Sequence, residues 1–218
     1  MKILLEFPLT LSVCVFLFFS FFIIQLAVPQ QIHMKYFVSY PGSYNAVNWF
    51  LASINHASFG HLLSNLMFLF FLGRSVEYKV GKGKWLLFYS MAALVSGLAD
   101  SMIRGAMGDR VPAVGASGAI AGIAAVSALL CPYTMPAAGK KIPFPVFIVS
   151  WLAVYYDFTN LFSRDNVAHW AHLAGFFSVF LTAYMLSEED RHNLRMGFMF
   201  NLVFFSLTII LLYFVENR

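Results

Sequence analysis

The sequence predicts an all-α, polytopic membrane helical bundle, and three observations point to it. Only 11% of the 218 residues are charged, while 60% are hydrophobic. A soluble domain carries roughly 25% charged residues, so most of the surface of a body this size must face lipid. Seven apolar segments divide the chain, at 9–28, 59–72, 85–99, 115–131, 143–156, 167–185 and 196–215. The basic residues gather in alternate connections between these segments, the pattern that sets membrane topology.

The first segment is uncharged and 20 residues long, enough to span a bilayer core. No small-x-small cleavage pattern follows it near Gln25–Gln31, so it reads as a retained helix rather than a signal peptide. The stretch after it, about 29–58, is too long for a tight turn. Its Tyr and Trp residues, with Lys35 as its one charge, suggest a structured loop at the membrane interface. The second, fourth and sixth segments carry Ser, Asn or His, as interior helices do. The first and seventh are the greasiest and suit outer positions. No repeat, low-complexity tract or soluble domain is read at either end, and a bacterial inner membrane is expected. Cys14 and Cys131 are far apart in apolar stretches and form neither a metal pattern nor a disulfide framework.

Arg74, Lys79, Lys82 and Lys84 lie between segments two and three, Lys140 and Lys141 between four and five, and Arg191 and Arg195 between six and seven. Lys2 precedes the first. With seven helices all of these fall on one side. The other side has Lys35, Arg104, Arg110, Arg164 and Arg218, three of them near Asp100, Asp109 or Asp165. The expectation is a cytoplasmic N-terminus and an external C-terminus. Segments two, four and six then run inward from the outer face, and His61, Asn65, Ser117, His169 and His172 reach one depth just below it. The net charge of +4 forms no basic stripe, which argues against nucleic acid as a partner.

The chemistry starts from Gly115-Ala116-Ser117-Gly118. Gly118 and Gly122 form a small-xxx-small pair suited to close helix packing, so the stretch could be packing alone. A serine hydroxyl becomes a useful nucleophile only beside a base. The candidate base is His172, and Gly175, one turn on, would let the two helices approach. His61 and Asn65 are four residues apart and share a helix face, so they could donate hydrogen bonds to an oxyanion beside the Ser117 amide. Four histidines, His56, His61, His169 and His172, could instead bind metal, but no His-Glu-x-x-His pattern accompanies them.

These residues resemble the rhomboid family of intramembrane proteases. The likeness rests on His56-x4-His61-x3-Asn65, Gly73-x3-Glu77, Gly115-x-Ser117-Gly118 and Ala171-His172-x2-Gly175, in that order over 45–186. It implies a six-helix core over 1–190 and an additional C-terminal helix over 191–218. It also implies a serine endopeptidase that needs no cofactor or metal, with a Ser117–His172 dyad and no acidic third member. His61, Asn65 and the Ser117 amide would hold the oxyanion, while His56, His169 and Glu77 support. The substrates implied are single-pass transmembrane proteins cut in or near their membrane segment. Two positions depart from the family: Ala121 stands where an aromatic often packs on the catalytic imidazole, and Val47-Asn48-Trp49-Phe50 stands near a usual Trp-Arg. Something else must then orient His172, with His169 and Trp170 as candidates. The alternatives are a non-catalytic relative that binds transmembrane segments and a zinc-dependent seven-helix lipid hydrolase.

Overall fold

Each apolar segment forms a helix in the structure, a computed structural model that describes residues 6–137, 139–163, 165 and 167–216. Lys2, Arg164 and Arg218, used in the topology argument, lie outside the described residues. The helices are α1 (Pro8–Ala27), α2 (Gln30–Tyr36), α3 (Ala46–Ile54), α4 (Phe59–Ala106), α5 (Ser117–Leu130), α6 (Val146–Thr159), α7 (His169–Ala183) and α8 (Glu188–Glu216). An antiparallel hairpin, β1 (Thr134–Ala137) with β2 (Lys140–Pro143), joins α5 to α6 and was not expected from the sequence. Among the described residues, α1, α4 and α8 are long and apolar enough to cross a membrane, and α5 and α6 are shorter apolar helices. The chain is an integral membrane protein.

Pro8 opens α1 at a position where its missing N–H costs nothing. The next donors are met by a residue 67 or 68 positions away: the Glu77 carboxylate accepts from Leu9 N (3.0 Å), Thr10 N (2.7 Å) and Thr10 Oγ1 (2.7 Å). Asn45 caps α3 through Val47 N at 3.0 Å, and Ser58 caps α4 through His61 N at 3.1 Å. The second and third predicted segments are two arms of α4, 59–80 and 82–106, turned at Gly81 with φ of 76°, a left-handed conformation that glycine adopts without penalty. The first arm runs past the predicted stop at Leu72, with Gly73 through Glu77 buried in the bundle. Arg74 lies over the Phe70 and Phe71 rings, at 5.2 and 5.7 Å, and Trp85 donates to the Gly73 carbonyl at 2.9 Å.

The ends of the bundle differ in character. At one, Lys84 pairs with Asp190 at 2.6 Å, Glu77 holds the start of α1, and Glu6 accepts from Gly139 N in the hairpin at 2.9 Å. The basic connections read from the sequence therefore gather there. At the other end the first loop folds over the bundle. The Trp49 indole donates to Ser101 Oγ at 3.0 Å and lies against Gly97, Ser39 pairs with Ala113, and Gly42 N donates to the Ser101 carbonyl at 2.8 Å.

Helix α5 is the central staff, with ten buried residues from Gly118 to Ala128. Lipid tails are as apolar as leucine, so helices associate in a membrane by close packing rather than by escape from water. The composition of α5 answers this: a Cβ at Gly118 would collide with Ser96 of α4, and one at Gly122 with Ala92. Its Ile123 and Val126 join Leu62, Leu69, Val76, Trp85 and Phe88 of α4 in one buried cluster. Helix α8 is pinned by Asn201, which donates to the Ala128 carbonyl at 2.9 Å and accepts from the Trp151 indole at 2.8 Å. Most other side chains of α8 point outward, as do Phe16, Phe19 and Ile23 of α1.

Candidate active site

Ser117 is the first residue of α5, and the chain leading to it is held from both sides. Ala113 pairs with Ser39, and Gly115 N donates to the Ala52 carbonyl of α3 at 2.9 Å. Gly115 has φ of 127°, and a Cβ there would lie 2.7 Å from His61 Cε1, so both backbone and space demand glycine. His172 stands one turn into α7. A Cβ on Gly175 would overlap the Gly118 carbonyl, so the α5 and α7 backbones touch. That approach leaves Ser117 Oγ 2.7 Å from His172 Nε2.

The other face of the imidazole meets a carboxylate. His172 Nδ1 is 2.9 Å from Asp157 Oδ1, and the same oxygen lies 2.7 Å from His169 Nδ1. Asp157 is buried in the last turn of α6. A carboxylate without its proton only accepts hydrogen bonds, so opposite an ionised Asp157 both Nδ1 atoms would carry the hydrogen. Neutral His172 then presents its Nε2 lone pair to the Ser117 hydroxyl, the form a general base requires. His169 Nε2 continues outward to Ser163 Oγ (3.3 Å) and the Asp165 carboxylate (3.2 Å). Asp157, His169 and His172 offer ligand atoms within 4.8 Å of one another, a donor set that could hold a divalent cation. In this arrangement those atoms are already engaged with each other.

Ser117 and His172 open onto a cavity of about 510 Å³ whose lining is mostly apolar, including Phe68, Ala121, Leu152 and Tyr156, with His61 and Asn65 at its polar end. Asn65 is buried, and its Nδ2 has no hydrogen-bond partner among the described residues. A buried amide donor normally has one, so Asn65 holds a donor in reserve beside Gly115. A smaller cavity of about 50 Å³ lies on the other side of Ser117, lined by Ser39, Ser53, Ser96 and Asp100, with room for water. His56, between α3 and α4, is fully buried and edge-on to His61. Burial first, and then the neighbouring His61, push its pKa from 6.5 down to about 4. Its carbonyl accepts from Gln25, and its amide donates to Asn55 Oδ1.

The model of the Rhomboid domain matches residues 44–189, well over half of the chain. The chain belongs to the rhomboid family. Among curated rhomboid proteins it is similar to Rhomboid protease GlpG of Serratia proteamaculans, 27% identical over 193 residues that cover 85% of this chain and 65% of that protein. The Pectobacterium atrosepticum GlpG is 30% identical, covering 81% of this chain and 62% of the relative. Putative rhomboid protease YdcA of Bacillus subtilis is 28% identical, covering 63% and 66%. The chain thus spans about two thirds or less of the length of these rhomboid relatives.

Within this rhomboid bundle the sequence-derived residues Ser117, His172, His61, Asn65, Gly115, Gly118 and Gly175 fall together. His56 lies behind His61, and His169 shares the Asp157 carboxylate with His172. Trp170, the other candidate to orient His172, has an indole nitrogen with no partner among the described residues. Beside the expected dyad lies a carboxylate that the sequence reading did not include, Asp157, 2.9 Å from His172 Nδ1. The four histidines considered as ligands divide into two pairs, His56 with His61 and His169 with His172. Asp157 and Asn55 went unnoticed in the sequence. The one available signal for Asp157 was a lone acid at the end of an apolar segment.

Proposed function

We propose that this chain is an intramembrane serine endopeptidase that cuts single-pass transmembrane proteins in or near their membrane segment. The observation that carries this reading is the 2.7 Å contact between Ser117 Oγ and His172 Nε2 at the wall of an apolar cavity. Ser117 Oγ attacks the scissile carbonyl while His172 Nε2 takes its proton. The imidazolium then protonates the leaving amine, and a water deacylates Ser117 by the same route. The oxyanion is held by the Asn65 amide, the His61 ring and the Ser117 N–H, which lies in the first helical turn where no preceding helical carbonyl claims it. A transmembrane substrate is helical, with its carbonyls already bonded. It must unwind to reach Ser117, so Gly, Pro or small residues are expected at the cut.

In this reading α1, the two arms of α4, α5, α6 and α7 are the six core spans over 1–190, and α8 is the added seventh over 191–218. The N-terminus is cytoplasmic, the cavity lies near the outer face, and the membrane is a bacterial inner membrane. Support comes from the basic connections of the sequence, with Lys84 paired to Asp190 at the opposite end of the bundle.

The test is cleavage of a panel of single-pass substrates in proteoliposomes, with Ser117→Ala, His172→Ala and a chelator alongside. Cleavage lost in both variants and retained with chelator is the expected result. Cleavage that persists in Ser117→Ala overturns the assignment of the nucleophile. Loss with chelator favours a metal at Asp157, His169 and His172 instead.

A further inference from the structure

We propose that Asp157 is a positioning residue for His172, braced by His169, so that the base works within an Asp–His–Ser line rather than as half of a lone pair. The inference rests on the reading of Ser117 and His172 as nucleophile and base.

Three observations carry it. The geometry is linear in sequence of contacts: Asp157 Oδ1 at 2.9 Å from His172 Nδ1, then His172 Nε2 at 2.7 Å from Ser117 Oγ. The carboxylate selects the tautomer with hydrogen on Nδ1 and fixes the ring about its χ2 axis. Without it, an imidazole could equally put its proton on Nε2 and offer Ser117 a donor, which cannot accept the hydroxyl proton. Next, Asp157 is poorly placed for merely structural service. It sits in the last turn of α6, where the helix dipole disfavours an acid, and it is buried, where a carboxylate without donors is costly. The second donor from His169, at 2.7 Å, answers that cost and holds the carboxylate in place. Finally, the position one turn after Ser117 is Ala121, so no aromatic ring from α5 is available to stack on His172.

The titratable groups facing His172 come from several elements. His61 approaches from the first arm of α4 and Asp100 from its second arm, Asp157 and Tyr156 from α6, His169 from α7, and Asp165 from the loop before it. Asp157 is the carboxylate in hydrogen-bond contact with His172 Nδ1, so its removal should be felt at His172 above the others.

The experiment measures the rate of Ser117 labelling by a fluorophosphonate probe, and of substrate cleavage, from pH 5 to 9 in proteoliposomes. Wild type, Asp157→Asn, Asp157→Ala, Ser117→Ala and His172→Ala are compared. Asp157→Asn is expected to lower kcat by about 10²–10⁴-fold with KM nearly unchanged. Loss of the negative charge is also expected to move the low-pH limb of the rate profile to more acid pH. Wild-type kcat with an unmoved limb in Asp157→Asn overturns the inference while leaving the protease reading intact. So does a fall in both stability and rate with the limb unmoved, which marks a structural residue. A wild type that never labels removes the protease reading itself. Nitrogen-15 histidine spectra of the wild-type protein, with the His172 signal assigned by its loss in His172→Ala, supply a readout that needs no Asp157 variant. Hydrogen on Nδ1 is expected, and hydrogen on Nε2 overturns the inference.

Discussion

The Cα of Gly175 on α7, one turn from His172, lies against the carbonyl of Gly118 on α5, the residue next to Ser117. No side chain separates the two backbones, so the gap between Ser117 and His172 is set by main chain rather than by rotamers.

Gly175→Ala therefore forces the helices apart where they carry the site. Overpacking of this kind costs about 1–3 kcal/mol, and here the displacement falls on the Ser117–His172 contact. Thermal unfolding in detergent should drop by several degrees, and fluorophosphonate labelling of Ser117 should fall more than 10-fold. Labelling at the wild-type rate would mean that the contact survives a wider spacing.

Asn65 offers the opposite combination. Its Nδ2 has no partner among the described residues, so Asn65→Ala removes no hydrogen bond from that atom. On the proposed mechanism it removes an oxyanion donor, worth about 10²–10³-fold in kcat. The expected outcome is a large loss of cleavage with an unfolding temperature that is unchanged or slightly higher. Equal losses in both would assign Asn65 to packing.

Glu77 should separate stability from chemistry in the other direction. Glu77→Ala strips three hydrogen bonds from the start of α1, and capping losses run about 0.5–2 kcal/mol. Glu77→Gln, which keeps acceptor oxygen without charge, should cost less. Unfolding curves in detergent order the series, and kcat in the folded fraction should match wild type.

His56 gives a pH dependence with a definite sign. Its folded pKa lies near 4, below the ordinary 6.5, so the folded state disfavours the proton that the unfolded state accepts. Its contribution to stability is complete above about pH 6.5 and is lost progressively as the pH falls toward 4. Unfolding temperatures measured from pH 7.5 to 4.5 should decline, and His56→Phe should flatten the part of that decline due to this group. An unchanged slope in His56→Phe would place the titration elsewhere.

Much of this protein was legible in its sequence, for physical reasons. Helices in lipid must be apolar and long, so the seven segments stood out, and glycines at Gly115, Gly118 and Gly175 marked where backbones meet. Polar residues inside such segments are costly, which singled out His61, Asn65, Ser117 and His172. Asp157 escaped because an acid between Tyr156 and Phe158 at a segment's end looks like a boundary residue. Only the fold brings it to His172, 15 residues on in the next helix. The continuation of α4 past Leu72 escaped because Gly73 and Arg74 read as a stop, whereas Trp85 bonds the Gly73 carbonyl and the Arg74 guanidinium lies over two phenylalanine rings. The hairpin at 134–143 had no alternating pattern strong enough to announce it.

The carboxylate that finishes the first turn of α1 has a consequence for how the molecule is made. A ribosome delivers Leu9 and Thr10 long before Glu77, which follows them by 68 and 67 residues. When α1 first enters the bilayer, its leading amides must rely on water or headgroups. They acquire their protein partner only after the first arm of α4 has been synthesised and has packed beside it. An earlier helix is thus completed by a later one, and its final seating reports that the two have met.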